Sequence, residues 1–358
     1  MPDDKSTGSS SSSNPKCVKD IAAKIINSIE FITEVKGADF NGDVTLDDIL
    51  SSFRTTGIQA TNLYNAIKEI KKMKEANARI YLGATSNMIS SGVRESISFL
   101  AKNKHFEVLV LTGGGVEEDC IKCMKPTYIG SFELDGQALR DNGWNRIGNM
   151  AISNDNYVLF EQWFNSVMDE LISGESEEYP NFKAKSNENK CYTEDFPLIL
   201  TPSKFIRHLG KKINSEESVL YWCYKNDISV FSPALTDGSI GDLLTFYNKR
   251  DCFKLDIVED IFRMNTKCLG SRENGAIVLG GGLVKHHILN GNLFNDGLEY
   301  CVIVNTAFDF DASDSGASIT EAYSWGKVKS GRSCLKVHGD CSIIFPLIVY
   351  GAFKSKIL

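Results

Sequence analysis

Two triple-glycine turns carry the first chemical signal. Gly113-Gly114-Gly115 follows the apolar run ending at Leu111-Thr112 and precedes VEEDCIKCM; Gly280-Gly281-Gly282 follows AIVL and precedes LVKHHILN. A strand, a glycine turn and a helix in succession let the backbone approach a phosphate, with helix N–H groups pointing at it. Neither turn fits G-x-G-x-x-G, and no G-x-x-x-x-G-K-[ST] occurs. A tight strand-to-helix turn therefore explains the glycines as well as a dinucleotide site does.

Five histidines (His105, His208, His286, His287 and His338) form no H-E-x-x-H and no plausible metal set. His286 and His287 open the helix after the second glycine turn. Neighbouring helical residues point about 100° apart, so at most one faces the strand ends, where it could shuttle a proton near neutral pH. Acidic residues concentrate in the C-terminal half: Asp237 and Asp242 in LTDGSIGD, Asp309, Asp311 and Asp314 in FDFDASDSG, then Glu321 and Asp340. Such a group suits a cationic small molecule, and Trp325 in SWGK could offer a ring face to an ammonium group; a solvated acidic loop is the plain alternative. Lys327, in the same stretch, becomes a nucleophile only when neutral, which burial or a nearby cation can arrange. Ten cysteines include one C-x-x-C, Cys120 and Cys123, and no second pair for a zinc site. These read as reduced, mostly buried helical thiols.

The elements that must position these residues are legible as periodicities. RIYLGATSN, VLVLTGGG, ISVFSPALTDGS, AIVLGGG, YCVIVNTA and CLKVHGDCS are short β-branched runs ending in small or polar residues, with helix-period segments between most of them. Continuous apolar strands alternating with helices predict an α/β fold, an open, mostly parallel Rossmann-like sheet covered on both faces. Ligands in such folds sit at the carboxyl ends of the strands. Upstream, Leu63, Ile67, Ile70 and Met73 mark a helix, and Thr45 with Asp48 resembles a capping box. Val18, Ile21, Ile25, Ile29 and Ile32 predict an amphipathic N-terminal helix, either ordinary core or an arm on a partner subunit. The expected organisation is a Ser-rich disordered tail over 1–16, a helical arm over 17–35 and a single domain over 36–358.

Composition bounds the function. The chain has 358 residues, 42% hydrophobic and 24% charged, and 39 Lys+Arg against 46 Asp+Glu give a net charge of −7. This is an ordinary globular balance, and the acidic net charge argues against a nucleic-acid partner. No apolar run approaches the roughly 18 residues of a membrane helix, and the polar N-terminus has no signal-like apolar region, so a cytoplasmic location is expected.

The stretch LGGGLVKHH through NTAFDFDASDSG to EAYSWGKV resembles the deoxyhypusine synthase family. So do FRTTGIQATN, TSNMISSG, GGVEEDCIKCMKPTYIG, NRIGN with NDNY, and VFSPALTDGSIGD, in colinear order from about residue 30 to 350. The resemblance implies NAD-dependent oxidation of spermidine. Its 4-aminobutyl group would then pass, through an enzyme-lysine imine, to one lysine of the translation initiation factor 5A precursor. By motif, Lys327 would be the nucleophile and His286 the proton acceptor, with Asp242, Asn290, Asp314, Glu321 and Trp325 holding the polyamine. Ser86, Asn87, Thr112, Gly113, Glu118, Asp237, Gly280, Gly281, Thr306, Ala307, Asp311 and Asp340 fall on the NAD-binding motifs. The resemblance also implies a homotetramer, a dimer of dimers with active sites between subunits, whose N-terminal segment can cover a neighbouring site. Gly113 stands where many members have alanine and Ala312 where many have glycine, small swaps expected to spare cofactor binding. Ile303 stands where animal members have a tyrosine that frames the polyamine site, and the segment around Lys74 to Ala78 is shorter than in many relatives. The same motifs also fit a homospermidine synthase-like enzyme that transfers to a free diamine. A non-catalytic NAD-binding paralogue would be expected to lose Lys327.

Overall fold

All six apolar runs become parallel strands of one sheet. The computed structural model describes residues 33–173, 198–247 and 253–356. Its strands are β1 (Arg79–Ala84), β2 (Val108–Leu111), β3 (Tyr128–Ile129), β4 (Trp144–Ile147), β5 (Met150–Ser153), β6 (Leu198–Leu200), β7 (Ser229–Phe231), β8 (Phe253–Leu255), β9 (Asn274–Leu279), β10 (Leu298–Asn305) and β11 (Val328–His338). The main sheet runs β11-β10-β9-β1-β2-β7, every neighbouring pair parallel. From β1 the chain winds one way through β2 to β7, then returns beside β1 and winds the other way through β9, β10 and β11. That is the doubly wound order, and its switch point, where a crevice opens at the carboxyl ends, lies between β1 and β9. A small antiparallel sheet, β3-β5-β4, and a parallel pair, β6-β8, lie outside it.

The helices used below are α1 (Leu46–Thr56), α2 (Ile58–Glu75), α3 (Ser86–Ser90), α4 (Val93–Lys102), α5 (Gly113–Met124), α6 (Gly136–Asp141), α7 (Asn154–Ser173), α8 (Pro202–Ile213), α9 (Val219–Lys225), α10 (Ser239–Tyr247), α11 (Ile257–Cys268), α12 (Leu283–Asn292), α13 (Ile319–Ser324) and α14 (Cys341–Val349). The capping box is present: Asp48 N donates to Thr45 Oγ1 at 3.2 Å and Thr45 N to Asp48 Oδ2 at 2.9 Å. Leu63, Ile67, Ile70 and Met73 all face the core from α2. The short segment at Lys74 to Ala78 is a tight turn, with Asn77 at φ +50. Of the N-terminal arm, residues 17–32 lie outside the described residues, as does the Ser-rich tail; 33–35 carry no helix.

Side chains alternate across the sheet and build two cores. Leu82, Leu109, Ile277, Val302 and Val337 face one side, beneath α2, α4, α5 and α14. Tyr81, Val110, Val278, Ile303 and Cys334 face the other, beneath α11, α12 and α13. Because both faces are covered, the strands are apolar without a polar phase. The second layer packs closely: a Cβ on Gly83 would lie 2.8 Å from Ile288 Cδ1 of α12. Its outer surface carries exposed apolar side chains, Val258, Ile261 and Phe262 of α11 and the adjoining Phe294.

Buried polar groups tie the layers together. Asp119 of α5, fully buried, accepts from Arg94 Nε at 2.8 Å and from the amides of Val219 and Leu220, both at 3.0 Å, so it caps α9 from another helix. Arg94 also reaches Cys123, which places the C-x-x-C within an ordinary helix turn. Seven cysteines among the described residues are free thiols, six of them buried.

Candidate active site

The predicted dinucleotide residues line the carboxyl edge of the sheet. After β1 come Thr85, Ser86 and Asn87 at the start of α3, and after β2 come Thr112 and Gly113 at the start of α5. Asp237 follows β7, Gly280 and Gly281 follow β9, Thr306 and Ala307 follow β10, and Asp340 follows β11. Neither α5 nor α12 has a side-chain cap, so their first amides face the crevice. The glycines are required by space. Gly280 has φ +96, and a Cβ there would lie 2.8 Å from the Thr85 hydroxyl; at Gly281 it would lie 2.6 Å from Ser315 Cα. A Cβ on Gly113 would meet the carbonyl oxygens of Ala234, Leu235 and Asp237 at 2.8–2.9 Å. An extended phosphate-bearing ligand fits this cradle, with amides for its phosphates.

Unpartnered buried atoms point to the same edge. Thr112 Oγ1, Glu118 Oε2, Ser232 Oγ and Asp314 Oδ2 are all shielded from water without a hydrogen-bond partner. Native proteins pair most such groups, so each of these four, spread along the edge from β7 to β10, is a place where a polar ligand could complete the bonding. Burial also raises the Glu118 pKa, against a long bond from Tyr157 at 3.4 Å. Its neighbour Glu117, which sequence reasoning missed, accepts the Ile240 amide at 2.9 Å and caps α10, the helix that carries Asp242. Burial pushes the Glu117 pKa up to about 6. Asp242 opens onto a cavity of about 550 Å³ shared with Asn145, Asn154 and Glu161.

The loop from Thr306 to Gly316 presents Asp311 and Asp314. Hydrogen bonds from Ser313 hold the exposed Asp311 carboxyl below the usual carboxylate range. Ala312 sits at φ +56, a left-handed conformation that costs a non-glycine residue roughly 1–2 kcal/mol. Ala312 is therefore held in a conformation that glycine would adopt without that cost. Ile303 is buried in mid-strand between Val278 and Lys336 and lines no part of the edge.

The polyamine set is divided. Asp242 follows β7, one lateral edge of the sheet, at its carboxyl end; Lys327 precedes β11, the other lateral edge, at its amino end. Five strand spacings of about 4.8 Å separate the edges by roughly 24 Å, and seven residue steps along β10 add about 23 Å lengthwise. One chain therefore does not bring Asp242 to Lys327. Trp325, 65% exposed, stays with Lys327, its ring 5.8 Å from Nζ. Glu321 lies on α13 just before them, its amide capped by Ser318 at 3.4 Å. His286 and Asn290 are exposed on α12. His287 is the packed member of the pair, its ring 6.3 Å from Phe231 and its pKa lowered to about 4 by burial, then by His286.

Comparison with known proteins shows the family. A family model described as deoxyhypusine synthase matches residues 48–352. The chain is 50% identical over 342 residues to deoxyhypusine synthase of Encephalitozoon cuniculi, covering 96% of this chain and 97% of that one. It is 45% identical over 349 residues to deoxyhypusine synthase of Musa acuminata, covering 90% and 88%. A crystal structure from Entamoeba histolytica that carries the same enzyme name superposes with a TM-score of 0.61 at 29% identity, covering 89% of this chain and 96% of that one. On this family match over most of its length, the chain belongs to the deoxyhypusine synthase family of transferases.

Proposed function

We propose that the protein transfers the 4-aminobutyl group of spermidine, with NAD as oxidant, to a lysine of the translation initiation factor 5A precursor, in a site completed between copies of the chain. The observation that carries this reading is the pair of uncapped glycine-led helices at the carboxyl edge, with unpartnered buried oxygens spaced along the same edge. Bound NAD would supply the two-electron oxidation that no side chain can perform. Gly113, Gly280 and Gly281 would admit its phosphates, with Ser86, Asn87, Thr112, Glu118, Asp237, Thr306, Ala307, Asp311 and Asp340 around it.

The remaining residues act on the amine. Asp314, with an unpaired buried oxygen, and Asp242 and Glu321 would hold ammonium groups, with the Trp325 face beside them. Exposed His286 and Asn290 would face the substrate across the interface, His286 accepting the proton lost as the amine is oxidised. Lys327, beside the Trp325 ring, would be the nucleophile that takes up the aminobutyl group. Its nitrogen would bond to the aminobutyl carbon as an imine while the bond to the rest of spermidine breaks and 1,3-diaminopropane leaves. The acceptor lysine would then displace Lys327 by imine exchange, and the two electrons taken up by the cofactor would be returned to reduce the product imine to a secondary amine.

Two features support assembly from copies. The diagonal separation of Asp242 and Lys327 leaves each half-site open in one chain, and Val258, Ile261, Phe262 and Phe294 are apolar side chains exposed on the outer surface of the α11–α12 layer and suited to burial. A dimer of such dimers is the assembly we infer. The free thiols suit a reducing compartment such as the cytoplasm, and no described helix is long and apolar enough to cross a membrane.

The test is to incubate the chain with NAD and labelled spermidine, reduce with borohydride, and locate the label by peptide mass. A 4-aminobutyl adduct on Lys327 is expected. Label absent from Lys327, with folded protein and bound NAD, would overturn the reading.

A further inference from the structure

Lys285 and Lys336 are not among the residues assigned to the chemistry, yet both ammonium groups converge on one loop. Lys336 Nζ donates to the carbonyl oxygens of Ala307 and Gly316, each at 2.9 Å, and so joins the two ends of the loop. Lys285, 3% exposed on α12, donates to the carbonyl oxygen of Asp314 within it. Asn305 completes the arrangement, bonding the carbonyls of Gly280 at 3.0 Å and Ser315 at 2.9 Å. No carboxylate lies within 4 Å of either lysine nitrogen among the described residues. Lys285 is buried and Lys336 half-buried, and a desolvated cation is ordinarily paired with an acid because its burial is costly. Here the charge is spent on main-chain oxygens.

The loop's other contacts lie at its start and within itself: Phe308 packs on His338 with ring centroids 4.3 Å apart, His338 Nε2 lies 3.0 Å from the Thr306 carbonyl oxygen, and Gly316 N donates to Ser313 O at 3.1 Å. From 306 to 318 it forms no helix or strand, and Phe310 at its tip is 84% exposed, so apolar burial does not fix the tip. Its ends close so tightly that Gly316 has no room for a Cβ against the Phe308 carbonyl, and Ala312 is held left-handed. We propose that Lys285 and Lys336 are positioning residues: their bonds to three carbonyls hold the 306–316 loop, with its strained Ala312, in the shape that presents Asp311 and Asp314. This role rests on the reading that those two carboxylates bind ligand. It adds that the loop's shape is an energetic competition between a left-handed alanine and two ammonium clamps.

The experiment uses the full chain as wild type, Lys336→Met, Ala312→Gly and the double variant. Hydrogen exchange of peptides covering 306–318 is followed with spermidine kinetics. Lys336→Met is expected to speed loop exchange at least tenfold while β1 and β9 peptides stay protected. It should raise the spermidine KM about tenfold with kcat changed less than threefold. Ala312→Gly should recover more of both losses in the Lys336→Met background than it changes in wild type. Unchanged loop exchange in Lys336→Met, or an equal Ala312→Gly effect in both backgrounds, overturns the clamp. A wild type inert towards spermidine, with the exchange and coupling pattern intact, would instead overturn the functional reading and leave the clamp standing.

Discussion

Replacing Glu117 with Gln is expected to stabilise the protein at neutral pH and to do so less in acid. Glu117 is 7% exposed, lies near Glu118 and Asp242, and accepts backbone amides at the start of α10. Burial lifts its pKa from 4.5 to about 6 despite those bonds. An acid whose folded pKa is raised binds its proton more tightly in the fold than in the unfolded chain. Its ionisation therefore destabilises the fold: the penalty is absent below about pH 4.5 and complete above about pH 6. At roughly 1.4 kcal/mol per pKa unit the full penalty is about 2 kcal/mol. Gln removes it while keeping an oxygen for the Ile240 amide. For a chain of this size, about 2 °C per kcal/mol puts the gain in Tm near 4 °C at about pH 7.5 and at less than half of that near pH 5. Thermal unfolding of both proteins at the two pH values, in the same salt, measures the difference. A hydrogen bond weakened by the amide shifts both values equally and cancels. An advantage that is constant with pH, or larger in acid, would refute the reasoning.

Other outcomes follow from the same contacts. Asp119→Ala leaves Arg94 buried without its partner and uncaps α9, so it should cost about 3–5 kcal/mol, read as a lower urea midpoint. Lys327→Ala should abolish transfer while NAD affinity, measured by calorimetry, is retained; unchanged transfer would remove Lys327 from the mechanism. His286→Ala should slow spermidine oxidation more than it weakens NAD binding, and equal activity would remove its role as proton acceptor.

What was legible in the sequence is what repeats locally. Every strand of the main sheet announced itself as a β-branched run ending in small residues, and the Thr45–Asp48 box needs only four consecutive residues. The carboxyl-edge residues followed from the strand ends. Long-range polar bonds were not legible. Glu117 caps a helix 123 residues away, and Lys336 reaches carbonyls 20 and 29 residues back, so no local period betrays them. Lys327 illustrates a different limit. Its motif is distinctive, but only the strand order reveals that it precedes an edge strand, at the corner diagonal to Asp242. Sequence spacing names the members of a site without saying which copy of the chain supplies each.

That last point can be tested by mixing two inactive chains, Lys327→Ala and Asp242→Ala, unfolding and refolding them together, and assaying spermidine-dependent transfer. With a site completed between two copies, random pairing makes about half of the dimers mixed, each with one intact site of two, so about a quarter of wild-type activity should return. No recovery, with both chains folded and co-assembled, would contradict a site shared between copies.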